Sequence, residues 1–332
     1  MKIINLLLLI VFFVFNTSVN SAPTLLLDSQ SWDYTPSWMA DTVTGKDRLW
    51  WCSDRFGSGI PNTEGDVIKY SEKIGNGSWS SPQTVLIPTM SGWEGTCNCD
   101  PAVVRGQFSY SNVSYSMAMY YTASPTCSTN NKIGVAFSNN GINWTKVNTP
   151  IISTQFTSNA ASRYGAGQAQ VRNINGGSAV QLWHTDTPSN APTRIYERTS
   201  NNGINFSTAK ALSKLGIHST VSISGAGIAL SPSTPYYLYF VARDGATSVL
   251  RIYKIPHDTR FTGTWTYLGS ISPGSAGSNE AAIFEPGFRT DIYGNLYNLT
   301  FPQIWVGMGC GAKYVDQPGY DPVLWKLCHS SF

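Results

Sequence analysis

The feature that most limits what this chain can fold into is an internal repeat of about 60 residues, visible in two independent registers. The first register is a hairpin. Ile133-Gly-Val-Ala-Phe-Ser-Asn-Asn-Gly-Ile-Asn-Trp144-Thr returns as Ile195-Tyr-Glu-Arg-Thr-Ser-Asn-Asn-Gly-Ile-Asn-Phe206-Ser, and each reads as strand, Asn-Gly turn, strand. Gly77-Ser-Trp79-Ser and Gly263-Thr-Trp265-Thr hold the same place, so an aromatic recurs at 79, 144, 206 and 265. The second register is a short segment of small and apolar residues beginning at Thr35, Asp100, Gln168, Gly225 and Glu285. Between the two anchors runs an aromatic strand: Leu49-Trp-Trp51, Met119-Tyr-Tyr121, Leu182-Trp183, Tyr237-Leu-Tyr-Phe240 and Leu296-Tyr-Asn-Leu299.

Four short strands per repeat, taken five times, predict an all-β fold, a five-bladed β-propeller with blades starting near 32, 97, 165, 221 and 281. No linker or shift of composition interrupts 23–332, which reads as one domain. A two-sheet sandwich also alternates strands and turns, but it does not generate two concordant registers. Composition agrees. Charged residues are only 12%, aromatics reach 13%, and Ser, Thr, Asn and Gly stand where helical proteins carry Glu, Lys and Ala. A net charge of +3 from 22 basic and 19 acidic residues is no footprint for nucleic acid.

Residues 1–22 have the pattern of a secretory signal: one Lys, an apolar run from Leu6 to Phe15, then small residues with cleavage expected after Ser21 or Ala22. That run is shorter than the roughly 20 residues a membrane span needs, so the mature chain is expected to be secreted or periplasmic, without stable membrane insertion. All six cysteines follow the leader, and an even number in an exported chain predicts disulfides. Cys97 and Cys99, one residue apart, are expected to reach Cys52 and Cys127, leaving Cys310 with Cys328. Five Asn-x-Ser/Thr sequons, Asn76 among them, would accept glycans in a eukaryotic host. A propeller buries its core without a partner, so a monomer is expected.

Radial repetition brings the five anchors to one funnel. Trp, Tyr, Asn and a few carboxylates around such a funnel suit a carbohydrate, since aromatic faces stack on sugar rings and amides match hydroxyls. Glycoside hydrolysis needs two carboxyl groups. Asp100 and Glu285, each followed by Pro at the head of an inner strand, are the first candidates; Asp33, Asp54, Asp186 and Asp244 follow, and Glu94 beside Trp93 could overhang the rim. Trp38, Trp93, Gln168, His184 and Asp186 are the expected sugar-contacting residues.

Asp100-Pro-Ala-Val, then Met119-Tyr-Tyr-Thr-Ala-Ser and the hairpin ending at Trp144, resemble a blade of glycoside hydrolase family 43, the arabinanases, β-xylosidases and arabinofuranosidases. The resemblance implies inverting hydrolysis of an arabinose- or xylose-containing saccharide, with an Asp base in blade 1, a second Asp in blade 2 and a Glu acid in blade 3. Asp100 matches the blade 2 Asp. Thr35 stands at the blade 1 anchor and Gln168 at the blade 3 anchor, and neither can take the implied role; Glu197 should point away from the axis. Either the acid comes from elsewhere, with Glu285 first and Asp54 or Asp33 as the remaining carboxylate, or the propeller binds glycans, or serves as an adhesive surface, without cutting. No cofactor motif is present; the resemblance allows at most a structural calcium ion held on the axis through a histidine. The Ser138 and Ser200 turns resemble Asp-box hairpins with Asn140 and Asn202 in place of Asp, and are expected to be structural.

Overall fold

The structure, a computed structural model, describes residues 24–27, 33–54, 65–127, 129–154, 164–187, 192–247, 249–272, 282–297, 304–311 and 326–331. The expected leader lies outside these residues. Strand β1 (Thr24–Leu27) precedes the repeats. A first group follows, β2 (Asp33–Asp41), β3 (Lys46–Asp54), β4 (Asp66–Ile74) and β5 (Gln83–Leu86). The second is β6 (Cys97–Tyr110), β7 (Val113–Ser124), β8 (Lys132–Ser138) and β9 (Thr145–Lys146). The third is β10 (Gly165–Asn173), β11 (Val180–Thr187), β12 (Arg194–Ser200) and β13 (Lys210–Ala211). The fourth is β14 (Gly227–Leu230), β15 (Tyr237–Arg243), β16 (Leu250–Pro256) and β17 (Thr266–Ile271). The last comprises β18 (Ala282–Thr290), β19 (Trp305–Gly311) and β20 (Lys326–Ser331).

Within each group the strands pair antiparallel in chain order. The last group has three strands of its own, and β1 supplies its fourth by pairing with β20, Leu25 opposite Cys328. A short parallel contact, Arg289 opposite Trp38 and Thr290 opposite Met39, then joins β18 to β2. The first and last groups therefore share one eight-stranded sheet, and the ring is closed at the edges that would otherwise stay open.

Apolar layers fill the spaces between consecutive groups. Trp50 and Tyr70 pack with Val103 and Met119 between the first and second; Phe108 and Tyr120 with Ala166 and Leu182 between the second and third. Trp183 and Ile195 meet Ile228 and Phe240, and Val241 and Ile252 meet Ile283 and Val306. Because both faces of most sheets are covered, strands such as β7 are buried continuously from Met117 to Ser124 rather than in alternation. This burial is the structural meaning of the low charge content.

The two near-identical hairpin turns are superimposable in their hydrogen bonds. Ser138 Oγ accepts from the Gly141 amide at 2.9 Å, and Asn140 Oδ1 accepts from the Ile142 and Asn143 amides, both at 2.9 Å. Ser200 and Asn202 repeat the arrangement toward Gly203, Ile204 and Asn205. Each turn is also clamped by the group before it: Trp50 Nε1 donates to Gly141 O, and Tyr120 OH to Gly203 O, both at 2.9 Å. These turns are structural, as their sequence suggested.

All six cysteines are in disulfides. Cys52–Cys99 ties β3 to β6, Cys97 pairs with Cys127, and Cys310–Cys328 joins β19 to β20. Of the expected aromatic strand 296–299 only 296 and 297 are among the described residues; Leu296 bridges Thr290 of β18 antiparallel, and the strand that pairs along β18 is β19. Asp291 Oδ1 accepts from the Tyr293 and Asn295 amides, and Gly294 adopts φ +81°. A side-chain-capped turn thus leads from β18 into these residues. Among the described residues, no helix is long and apolar enough to cross a membrane.

Candidate functional site

The five anchors share a backbone conformation that the sequence did not announce. Thr35, Asp100, Gln168 and Glu285 have φ of 48°, 49°, 52° and 47°, and Gly225 has φ 80°. Left-handed φ is uncommon outside glycine and a genuine outlier for a β-branched threonine. At the four non-glycine anchors the pairing with the next strand skips two residues, between Tyr34 and Ser37, Cys99 and Ala102, Gly167 and Gln170, and Phe284 and Gly287. Each inner strand thus carries a bulge that re-aims one side chain. In three of the four, proline fills the second skipped position, where no ladder hydrogen bond is needed. Repeated strain of this kind, costing roughly 1–3 kcal/mol per residue, concentrates at functional sites.

The re-aimed side chains meet at a cavity of about 350 Å³, lined by Tyr34, Asp66, Asp100, Thr122, Gln168 and Glu285 among others. Thr35 donates from Oγ1 to Glu285 Oε2 at 2.8 Å, and its hydroxyl also hydrogen-bonds the Asp100 carboxyl. The Gln168 amide donates to Thr122 Oγ1 at 2.8 Å, and the Thr122 hydroxyl in turn supports Asp100. Gln168 Oε1 accepts from the Gly225 amide. A side chain at 225 would crowd this contact, since a Cβ there would stand 3.1 Å from Glu285 Cγ and 3.4 Å from Gln168 Nε2.

Two acids in one desolvated site are costly to ionise together, and one proton is retained. Burial, and then the Asp100 charge, push the Glu285 carboxyl up to about 8, against the opposing hydrogen bond from Thr35. Burial also raises Asp100, opposed by Thr122, Thr35 and the backbone at Gln168. Tyr34 is raised well above a normal phenol by burial and by Asp66, to which it hydrogen-bonds. At neutral pH the cavity therefore offers a neutral carboxylic acid at Glu285 and, on its wall, a second acidic group at Asp66 held by a neutral phenol.

Of the expected residues, Asp100, Glu285 and Gln168 are brought together here. The others are placed elsewhere. Asp33 is fully buried and accepts from Trp51 Nε1 at 2.6 Å and Ser53 Oγ at 3.0 Å. Asp54 sits opposite Asp66 in the β3–β4 ladder, and its side chain lies outside the described residues. His184 is buried against Tyr196, with Nδ1 on Thr185 O and Nε2 accepting from Arg198; burial lowers it to about 4. Asp186 is buried and accepts from Thr154 Oγ1 at 2.9 Å. Trp93 stacks on Tyr121 and donates to Asn148 O, while Glu94 accepts from Tyr121 OH at 2.6 Å and pairs with Lys146 at 2.7 Å. Asp244 pairs with Arg251. Trp38 lines a different cavity, described below.

Asp33, His184 and Asp186 sit on strands that the repeat located, and their side chains are buried and hydrogen-bonded away from the cavity. Missed altogether were Tyr34, Asp66 and Thr122. Tyr34 and Thr122 adjoin or face an anchor across a register skip, and Asp66 lies across the ladder from the acid that had been singled out. Among the described residues no histidine lines the cavity. Asp66 approaches Cys52 and Cys99, but those sulfurs are bonded to each other and are not available as thiolate ligands.

No protein-family model matches the chain, and no curated protein matches it in sequence. Solved structures do match. An α-L-arabinofuranosidase from Lactobacillus brevis is 14% identical, with a TM-score of 0.59 over 92% of this chain and 91% of that one. The catalytic domain of a GH62 α-L-arabinofuranosidase from Coprinopsis cinerea is 14% identical, with a TM-score of 0.58 over 93% and 96%. The RS223 β-xylosidase is 13% identical, with a TM-score of 0.58 over 93% and 94%. At such identity the likeness is one of fold: the chain is a β-propeller of the architecture these glycosidases use.

Proposed function

We propose that the protein is a secreted glycoside hydrolase, a five-bladed propeller that cleaves an arabinose- or xylose-containing saccharide in the axial cavity by acid/base chemistry. The observation that carries this reading is the convergence of Asp66, Asp100 and Glu285 on one cavity. Glu285, protonated at neutral pH, donates to the leaving oxygen. Asp66, held by Tyr34, activates the attacking water. Asp100 does not touch the departing group; its charge keeps the proton on Glu285. Thr35 and Gln168 replace the base and acid that the family resemblance implies, so the base role passes to another strand of the first group and the acid role to the last group. An inverting outcome requires the acid and base carboxyls to stand roughly 6.5–9.5 Å apart.

The test is hydrolysis of arabino- and xylo-oligosaccharides by the wild type, Glu285→Gln and Asp66→Asn, with the first-formed anomer read by NMR. General acid or base loss is expected to lower kcat by roughly 10² to 10⁴. Full activity in either variant would remove that residue from the mechanism. The same Thr35 and Gln168 favour one second reading, a propeller that binds saccharides without cutting them. Wild-type binding by calorimetry with no release of reducing ends would decide for it.

A further inference from the structure

A second cavity, of about 480 Å³, opens at the far end of β2, roughly 20 Å along the strand from Thr35. It lies at the seam where β18 meets β2 and the ring closes. Three aromatic side chains line it, Trp38, Tyr297 and Trp305, together with Lys46, Lys73 and Arg289. Arg289 is held in place: Nη2 and Nε donate to Asp47 Oδ1 at 2.7 and 3.2 Å, and the guanidinium packs over the rings of Tyr297 at 4.5 Å and Trp38 at 5.1 Å.

Two observations separate this cavity from an ordinary ion-pair cluster. The first is charge. Asp41 is met by both Arg48, at 2.8 Å, and Arg105, at 2.7 Å; Asp47 is met by both Arg289 and, at 3.9 Å, Lys73. Lys46 is matched one to one by Glu72 at 2.5 Å. Among the side chains that line the cavity, the cations Lys46, Lys73 and Arg289 outnumber the carboxylates Asp41 and Asp47 by one. The second is an aromatic wall: a partly exposed Trp305 packs edge-on against the buried Trp38 beside these cations.

Surplus positive charge beside aromatic rings suits a sugar that is itself an anion. We propose that the seam cavity is a second saccharide site, distinct from the axial one, that takes a uronate-bearing oligosaccharide. The sugar carboxylate meets Lys73 and Arg289 as charge-assisted hydrogen bonds, and the ring lies against Trp305. The site stands whether or not the axial site cuts.

The experiment is isothermal titration of the full mature chain, made in a bacterial host so that Asn76 at the rim is bare, with trigalacturonate and with a neutral trisaccharide of the same length. Trigalacturonate is expected to bind, more weakly as salt is raised, and the neutral sugar at least about tenfold more weakly. Lys73→Ala is expected to weaken the acidic ligand about tenfold, the scale of one charge-assisted hydrogen bond. Trp305→Leu, which removes the ring the sugar lies against and keeps an apolar side chain, is expected to weaken it about threefold without lowering the unfolding temperature. Glu285→Gln is expected to leave this affinity unchanged. Equal affinity for the two sugars, no trigalacturonate binding at millimolar concentration, an unaltered affinity in both seam variants, or its loss in Glu285→Gln would each overturn the proposal.

Discussion

Replacing Glu285 by Gln isolates the proton that the axial cavity is built to hold. The carboxyl of Glu285 titrates near 4.5 when exposed and is pushed up to about 8 in the folded protein, first by burial and then by Asp100. Between those values the folded chain keeps a proton that the unfolded chain has released. Folding stability is therefore fully present below pH 4.5, falls by about 1.4 kcal/mol per pH unit above it, and has lost the whole contribution by pH 8. The interval of 3.5 units sets a ceiling of about 5 kcal/mol. Glu285 keeps part of its surface on the cavity, and water there screens the charge, so a difference of at least about 2 kcal/mol is expected. Gln mimics the protonated acid, and its oxygen can still accept from Thr35 Oγ1. Urea unfolding of the wild type and Glu285→Gln at pH 5 and pH 8 measures the effect directly. The variant should gain on the wild type as pH rises; a stability difference that is the same at both pH values would refute the reasoning.

Three further outcomes follow from contacts and titrations elsewhere. Asp100→Asn removes the charge that helps hold the proton on Glu285, so the alkaline limb of the pH–rate profile should move to lower pH; an unmoved limb would detach Asp100 from that role. His184, lowered to about 4 by burial, is neutral in the fold and charges on unfolding, so about 3 kcal/mol of stability should be lost as pH falls from 6.5 to 4, with its imidazole signals still those of a neutral ring at pH 5.5. Removing the Cys52–Cys99 bridge, which spans 47 residues, should cost about 4 kcal/mol by chemical denaturation, because the unfolded chain regains the loop entropy.

Much of the architecture was legible because it repeats. An Asn-Gly turn is a local device: Ser138 and Asn140 satisfy their own backbone within five residues, and Ser200 and Asn202 do the same, so their sequence suffices to place them. The aromatic second strands were legible for a related reason, since both faces are buried between groups and a run such as Met119-Tyr-Tyr121 has no polar side to present. The capped turn before Leu296 was not legible, because its hydrogen bonds run from Asp291 to backbone amides that the aromatic pattern does not mark. The fourth strand of the last group was not legible at all, for β1 has no counterpart in the repeat and finds β20 only through the closure of the ring.

The site divides along the same physical line. Five anchors at repeating positions were enough to nominate Asp100, Gln168 and Glu285, because radial symmetry carries equivalent residues to one axis. Whether an acid on the following strands faces that axis depends on the pleat, where a shift of a single residue exchanges core for cavity. That is why Asp33 lies under Trp51 and Asp66 lines the cavity. The same holds for Trp38, whose composition suggested a sugar platform and whose position on β2 carries it to the seam, beside cations drawn from strands more than 200 residues apart. Local hydrogen bonding and periodic burial are written residue by residue in the chain. The charge balance of a cavity is not, because it is a sum over groups that only the closed ring brings within reach of one another.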